Sequence, residues 1–303
     1  MTNDLGKFYR IPKININLPS GSKFYTPEEI NLSMDGSLPI RAMTARDELM
    51  LKSPDALLNG DALIHVIQSC VPEIKNVRKL LAPDVEAVLL GIFHSSYGPK
   101  LEFKSKCTNP DCNHENDFEV VIRQLLETAP QIEIPKIVEL DLGEVNGAIT
   151  KLRAHVTPYT YETNTRHQLA VFQHNKMLQV MANDNIDDQK KLDTFNECFA
   201  KIVELKFENA VECIKKIESI QVINGEEHII VTSDQQELRD FVFNAERNLI
   251  EPITDAIDNL NVSGIDKVFK AECSKCGHQW STNVEFNPVS FFVRSSNHSG
   301  LLT

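Results

Sequence analysis

KCTNPDCNH, residues 106–114, places two thiols five positions apart, at Cys107 and Cys112. Two thiolates do not close a tetrahedral metal site, and so short a span is tight for a disulfide. The pair therefore needs a complement elsewhere in the chain. That complement lies in KAECSKCGHQW, residues 270–280, where Cys273 and Cys276 stand in CxxC spacing.

Set side by side, LEFKSKCTNPDCNHENDFEV (101–120) and KVFKAECSKCGHQWSTNVEF (267–286) read as an internal repeat. Each has a Phe-Lys lead, a close cysteine pair, a histidine two residues after the second cysteine, and a strand-like exit. The repeated unit is a hairpin whose turn presents two thiolates. Two such knuckles supply four thiolates, the closed coordination of a structural zinc ribbon, so Cys107, Cys112, Cys273 and Cys276 are expected to hold one structural Zn2+. Roughly 160 residues separate the pairs, and closing such a loop costs about 4–5 kcal/mol if it is floppy. Structural zinc contributes about 10–16 kcal/mol, so the metal outweighs that cost. Residues 113–272 then form an insertion carried on a split ribbon. His114 or His278 replacing one thiolate is an alternative ligand set. A redox role for the CxxC is a further alternative, disfavoured because thioredoxin-like pairs open a helix whereas both flanks here read as strands.

Composition sets the outer bounds. The 303 residues are 42% hydrophobic, which suits a folded soluble protein with a sizeable core. Against 31 basic residues stand 43 acidic ones, a net charge of −12 that repels phosphate backbones and argues against general nucleic-acid binding. No stretch approaches the apolar length that spans a bilayer, and MTNDLGKFYRIPK lacks the apolar core of a secretory signal. A cytosolic origin follows as an expectation, and there paired cysteines bind metal more often than each other.

The predicted fold class is α+β, mostly α: a bundle of short helices plus a split four-cysteine zinc ribbon whose two knuckles bracket a long helical insert. Residues 1–26 read as an extended N-terminal arm, with Ile14, Ile16 and Leu18 alternating. Residues 27–106 hold a hairpin about Asp35–Gly36, between INLSM and LPIRAM, and then the helical core. Thr44 caps TARDELML, Ser53–Pro54 opens a second helix, Ala62, Leu63, Val66 and Ile67 share a helical face, and residues 84–97 give another amphipathic helix. The first knuckle spans 107–122. A mixed strand and helix insert covers 123–265, with strands at IVEL and ITKLRAHV and a helical stretch from Thr157–Pro158. A hairpin follows about Asn224–Gly225, then helix over 234–260. Leu192, Phe195, Phe199 and Ile202 form an apolar stripe in this insert, continued by Val211, Ile214 and Ile217. Residues 266–303 make the second knuckle and a C-terminal segment.

Signatures of catalysis are absent: no GxSxG, HExxH, GxxxxGK[ST] or GxGxxG occurs, and the chain is not expected to be an enzyme. His65 and His94 read as core-edge residues, and Asp47–Glu48 as acidic residues complementing a helix start. Cys70, Cys198 and Cys213 fall on apolar stripes as small buried hydrophobes. His167 and His174 lie seven apart, a weak signal for a second metal site. Around the knuckles Lys104, Lys106, Lys270 and Lys275 are interrupted by Asp111, Glu115, Asp117 and Glu272. They offset the net negative charge of a four-thiolate zinc, and Trp280 covers the site, so the ribbon reads as a staple rather than a nucleic-acid reader.

Beyond these local readings, a string of motifs occurs in order: LPSGSKFY (18–25), LSMDGSLPIRAMTARDEL (32–49), SPDALLNGDAL (53–63), VIQSCVPEI (66–74) and LAPDVEAVLLGIFHSSYG (81–98), followed by the first knuckle. Together they resemble the baseplate hub and hub-assembly proteins of T-even-type contractile-tailed bacteriophages. The resemblance covers roughly residues 18–125, with CSKCGHQW as a further echo. It implies a non-enzymatic role in building the tail tip. The implied partners are other hub and wedge proteins; a homo-oligomer, with a second copy of the chain as partner, is an alternative the sequence leaves open. The implied place is the host bacterial cytoplasm during assembly, with the virion tail baseplate as a destination. Two features depart from the family pattern: four residues rather than two separate Cys107 from Cys112, and residues 130–270 form a long insert suited to a partner surface of its own. The arm and the segment NPVSFFVRSSNHSGLLT (287–303) read either as ordinary packing over the zinc site or as docking strands. A zinc-ribbon nucleic-acid adaptor or phage regulator is the rival from another class, and a thiol oxidoreductase a third.

Overall fold

The computed structural model describes residues 9–21, 24–51, 60–145, 147–181, 188–223 and 225–284. The chain divides into two compact units, one built from 1–132 and 263–303 and the other from 133–262. Both combine helix and strand, with helix the larger share of the described residues.

In the first unit, β1 (Pro12–Ile16) pairs antiparallel with β2 (Leu38–Arg41). The expected arm is thus a core strand over its described part: Ile16 and Leu18 are buried, and β1 has its partner within the chain. The expected hairpin about Asp35–Gly36 is corrected as well. Those residues do turn, with Gly36 N–H donating to Ser33 O and Asp35 Oδ1 accepting from Ser37 N–H and O–H. The segment before the turn is taken by another neighbour, however. Asn31 N–H donates to Glu73 O and Lys75 N–H to Glu29 O, which leaves β2 free to pair with β1.

The helices follow their local signals. Helix α1 (Ala45–Met50) starts at a capping box in which Thr44 and Asp47 satisfy each other's backbone N–H groups. Helix α2 (Asp61–Cys70) buries Ala62, Leu63, Val66, Ile67 and Cys70. After a short 3-10 turn (Val77–Lys79), α3 (Ala82–Tyr97) begins with Pro83 in its first turn, where a missing N–H costs nothing. It buries residues around most of its circumference, from Val85 to Phe93, as the central helix of a core does. At Gly91 it comes so close to the β1–β2 pair that a Cβ would sit 3.1 Å from Ile40 Cγ1 and 3.4 Å from Ile16 Cγ2. The Ser53–Pro54 helix lies outside the described residues. The hairpin β3 (Lys100–Lys106) and β4 (Glu115–Val121) follows, then α4 (Ile122–Thr128).

The second unit is a four-stranded antiparallel sheet with helices. Strands β5 (Lys136–Val145) and β6 (Ala148–Val156) form a hairpin, followed by α5 (Tyr161–Met181) and α6 (Asp188–Cys213). Strands β7 (Ile214–Ile223) and β8 (Glu226–Thr232) complete the order β5-β6-β7-β8. Helices α7 (Gln235–Asn244) and α8 (Arg247–Val262) then place Leu238, Val242, Ile250, Ile253 and Ile257 in the core. The expected stripe is only partly a core stripe. Val211 is buried, but Ile214 and Ile217 are buried as residues of β7, because the phase shift marks the passage from helix to strand. Leu192, Phe195 and Phe199 are exposed; α6 meets α5 instead along the line marked by Cys198, whose Sγ lies 3.4 Å from Met177 Sδ. On that seam Asn209 Nδ2 lies 3.2 Å from His167 Nδ1, which gives His167 a structural place. The side chain of His174 is outside the described residues.

The chain then re-enters the first unit as the hairpin β9 (Val268–Glu272) and β10 (Gln279–Asn283). Residues 285–303, with the segment read as a docking strand, are outside the described residues. Among the described residues no helix is long and apolar enough to cross a membrane.

Candidate metal centre

The β3–β4 and β9–β10 hairpins each carry two cysteines in their turns, and each turn closes the same way. Cys107 N–H donates to His114 O and Cys273 N–H to His278 O, both at 2.9 Å. The residue after the second cysteine has a left-handed backbone in both, Asn113 at φ 46° and Gly277 at φ 69°. Asparagine and glycine are the residues that tolerate that conformation best. The tight turn spans Asn109–Asn113 in the first knuckle and Cys273–Gly277 in the second, closed by N–H to O bonds of 3.2 and 2.9 Å. The two extra residues of the first knuckle thus set Cys107 before the tight turn.

All four sulfurs lie within 4.8 Å of one another. Cys107 Sγ is 3.7 Å from Cys276 Sγ, and Cys112 Sγ is 3.8 Å from Cys273 Sγ, so both short approaches cross from one knuckle to the other. A regular tetrahedron with metal–sulfur bonds of about 2.3 Å has edges of about 3.8 Å. The donor set and its spacing therefore fit one tetrahedral metal ion. All seven cysteines are free thiols, which excludes the Cys107–Cys112 disulfide from this structure. Neither histidine belongs to the cluster: His278 Nε2 lies 3.0 Å from Thr108 Oγ1 and its ring stacks on Trp280.

Behind the sulfurs the two hairpins meet through rings. Phe103 and Phe118 of the first contact Phe269 of the second at centroid distances of 5.2 and 5.3 Å, and Trp280 lies 5.8 Å from Phe118. Edge and tilted pairings of this kind add about 0.5–1.5 kcal/mol each beyond area burial. A polar clip accompanies them. Asn116 is buried; its Oδ1 accepts from Ser274 N–H (2.9 Å) and Ser274 O–H (2.8 Å), and its Nδ2 donates to Cys273 Sγ at 3.6 Å. Sequence reasoning missed Asn116, although a signal existed. In the internal repeat, the position four after the second cysteine is Asn116 in one knuckle and Trp280 in the other, so the two copies differ there.

The sulfurs are electrostatically unequal. Removal from water opposes ionisation of Cys273, but the N–H groups of Cys276 and Lys275 and the Asn116 amide bring its thiol down to about 6. Burial pushes Cys107 up to about 12, with its thiol neighbours adding to the shift. At Cys112 the His114 N–H favours the thiolate, but burial and the neighbouring thiols prevail and raise it. Four thiolates without a cation repel one another, and a divalent ion reverses that balance. Two lysines of the first hairpin face carboxylates: Lys104 lies 3.4 Å from Asp117 and Lys100 2.6 Å from Glu119.

Elsewhere the expected roles are structural. Cys70, Cys198 and Cys213 are buried, and burial pushes the Cys70 and Cys213 thiols up to about 12. Asp47 is buried beneath Arg10 and His65, each 3.6 Å away.

No curated protein and no solved structure matches the chain. A family model does, described as T4 bacteriophage base plate protein, over residues 11–293. The match continues well past residue 125 and runs through the insert between the knuckles, so that insert belongs to the family pattern. With most of its length matched, the chain belongs to the T4 bacteriophage base plate protein family.

Proposed function

We propose that this chain is a structural or assembly protein of the tail baseplate hub, acting by protein–protein contact, with one structural Zn2+ held by Cys107, Cys112, Cys273 and Cys276. The family match over residues 11–293 carries the reading. The cluster supports the metal assignment: four thiolates at tetrahedral spacing select zinc or iron over hard cations, and a site closed by four protein ligands leaves no open position for catalysis. The ion cross-links chain segments 161 positions apart at Cys112 and Cys273, one before and one after the 133–262 unit. Such a staple suits a protein that holds geometry while other hub and wedge proteins dock. The reading is non-enzymatic and places the chain in the host bacterial cytoplasm during assembly. The pairing of Lys100 and Lys104 with carboxylates disfavours the nucleic-acid rival.

The test is quantitative mass spectrometry of purified virions and assembly intermediates against infected-cell lysate, with metal analysis of the purified protein. The expected result is co-migration with baseplate intermediates and one zinc per chain. Salt-sensitive retention on DNA without baseplate association would reject the reading, and thiol–disulfide turnover lost in Cys273→Ser would replace it with an oxidoreductase.

A further inference from the structure

The apolar stripe on α6 faces solvent. Leu192, Phe195, Phe199 and Val203 follow at spacings of three and four residues, on one side of the helix. They are 54, 49, 61 and 36% exposed, and Met177 of α5, against Cys198 of α6, is 49% exposed. The Phe195 and Phe199 rings are stacked, with planes 11° apart. The opposite end of the same helix is fully used: Asn209, Ala210, Val211 and Cys213 are buried. Isolated exposed apolar residues need no explanation, whereas a continuous helical stripe with two phenylalanines marks a contact surface.

We propose that this stripe is the docking face for a second copy of the chain, with the two α6 helices packing antiparallel across a two-fold axis between Phe195 and Phe199. The order of side chains argues for a copy rather than an unrelated partner. Aliphatic, aromatic, aromatic, aliphatic reads the same from either end. An antiparallel two-fold therefore sets Leu192 of one copy against Val203 of the other and Phe195 against Phe199, as a self-complementary contact requires. The area is sufficient. Five side chains that each leave about 100 Å² uncovered give about 500 Å² per copy, or about 1,000 Å² for the pair, the lower bound for a specific interface. The α5–α6 hairpins of two copies then form a four-helix arrangement, the ordinary way for helices to bury such stripes.

The experiment is light scattering coupled to size exclusion on the zinc-loaded full chain, over a concentration series from about 1 to 100 µM, because area alone does not set affinity. The comparison is the double variant Phe195→Asp/Phe199→Asp. Both positions are exposed in the single chain, so far-UV circular dichroism and zinc content should match wild type. The expected result is a mass rising to twice 34.2 kDa for wild type and staying at 34.2 kDa for the variant. A wild-type mass of one chain throughout, or a dimer that survives the double substitution, overturns the proposal. Loss of baseplate incorporation by a variant whose wild type is monomeric would assign the stripe to a different partner and likewise overturn it. The outcome is independent of whether the protein is found in tails, so the hub assignment stands or falls separately.

Discussion

Asn116 and Cys273 lie 157 positions apart in sequence, yet the Asn116 Nδ2 stands 3.6 Å from the Cys273 sulfur. The same amide accepts from both the N–H and the O–H of Ser274, so one buried side chain fixes the position of the second knuckle and favours its thiolate. Groups that hydrogen-bond metal ligands tune affinity about 10–100-fold. Asn116→Asp keeps the acceptor for Ser274 but removes the donor to sulfur and adds a negative charge beside it. The expected outcome is zinc affinity lower by about one to two orders of magnitude in competitive chelator titration. Asn116→Ala should also lose affinity and cost about 0.5–1.5 kcal/mol in stability through the lost hydrogen bonds, because Ser274 is exposed and water can take the place of Asn116.

At Gly91 the expectation is steric. A Cβ there meets Ile40 Cγ1 at 3.1 Å, so α3 lies against the β1–β2 pair with no room for a side chain. Gly91→Leu is expected to cost about 1–3 kcal/mol or more through overpacking, seen as a lower urea midpoint. Gly91→Ala should cost much less. Its helix propensity is better by about 1 kcal/mol, which offsets a displacement of a few tenths of an ångström.

These two sites also mark how far the sequence could be read. The four cysteines were legible because metal-ligand spacing is local and the repeat of flanking strands placed both pairs in hairpin turns. Thr44 and Asp47 were legible for the same reason, since a capping box closes within four residues. Asn116 was not, because its partners come from the far side of the insert. Nor was the pairing of β1 with β2: Asp35–Gly36 specifies a turn, but the choice of strand partner is made by residues 73–75 and by the helix passing at Gly91. The α6 stripe shows a third limit. Periodicity located an apolar face correctly, but which neighbour covers a face, or whether any does, is not written in its spacing.

Arg41 and Glu73 give a pH-dependent contribution to stability. The guanidinium meets the carboxylate at two positions, both 2.8 Å, and both side chains are largely buried. Burial opposes ionisation of Glu73, but the Arg41 hydrogen bonds and charge prevail and lower its pKa. A carboxylate lowered by folding stabilises above its unfolded value, near 4.5, and loses that contribution as pH falls through the lower folded value. Glu73→Gln should therefore destabilise by about 1–3 kcal/mol at pH 7, as expected for a charge-assisted pair broken on one side. The difference from wild type should shrink as pH falls below about 4.5 and through the lower folded value, where the wild-type carboxylate becomes protonated too. Equal destabilisation at pH 7 and pH 3 would mean that shape rather than charge matters at this position. Chemical denaturation at the two pH values makes the comparison.

Metal removal has a built-in reporter, because the chain has a single tryptophan and it packs on the ribbon. Trp280 lies against Phe118 of one hairpin and His278 of its own, so its surroundings depend on the two hairpins staying together. Without the ion, what holds them is the contact of Phe103, Phe118, Phe269 and Trp280, the Asn116 clip, and the Thr108–His278 and Ser105–Thr282 hydrogen bonds. Those contacts amount to a few kcal/mol, against about 10–16 kcal/mol for a structural zinc. A strong chelator is therefore expected to shift tryptophan emission to the red and make the residues of both hairpins exchange their amide hydrogens rapidly. Added zinc should reverse both effects. Cys276→Ser should reproduce the chelated spectrum in part and show weakened zinc retention. Residues 133–262 have a core of their own, built on Leu152, Ala154, Ile217, Ile253 and Ile257, so their exchange protection should persist. Simultaneous loss of protection in both units would instead mean that the ion stabilises the whole chain, with the insert unable to hold its fold once its two ends are released.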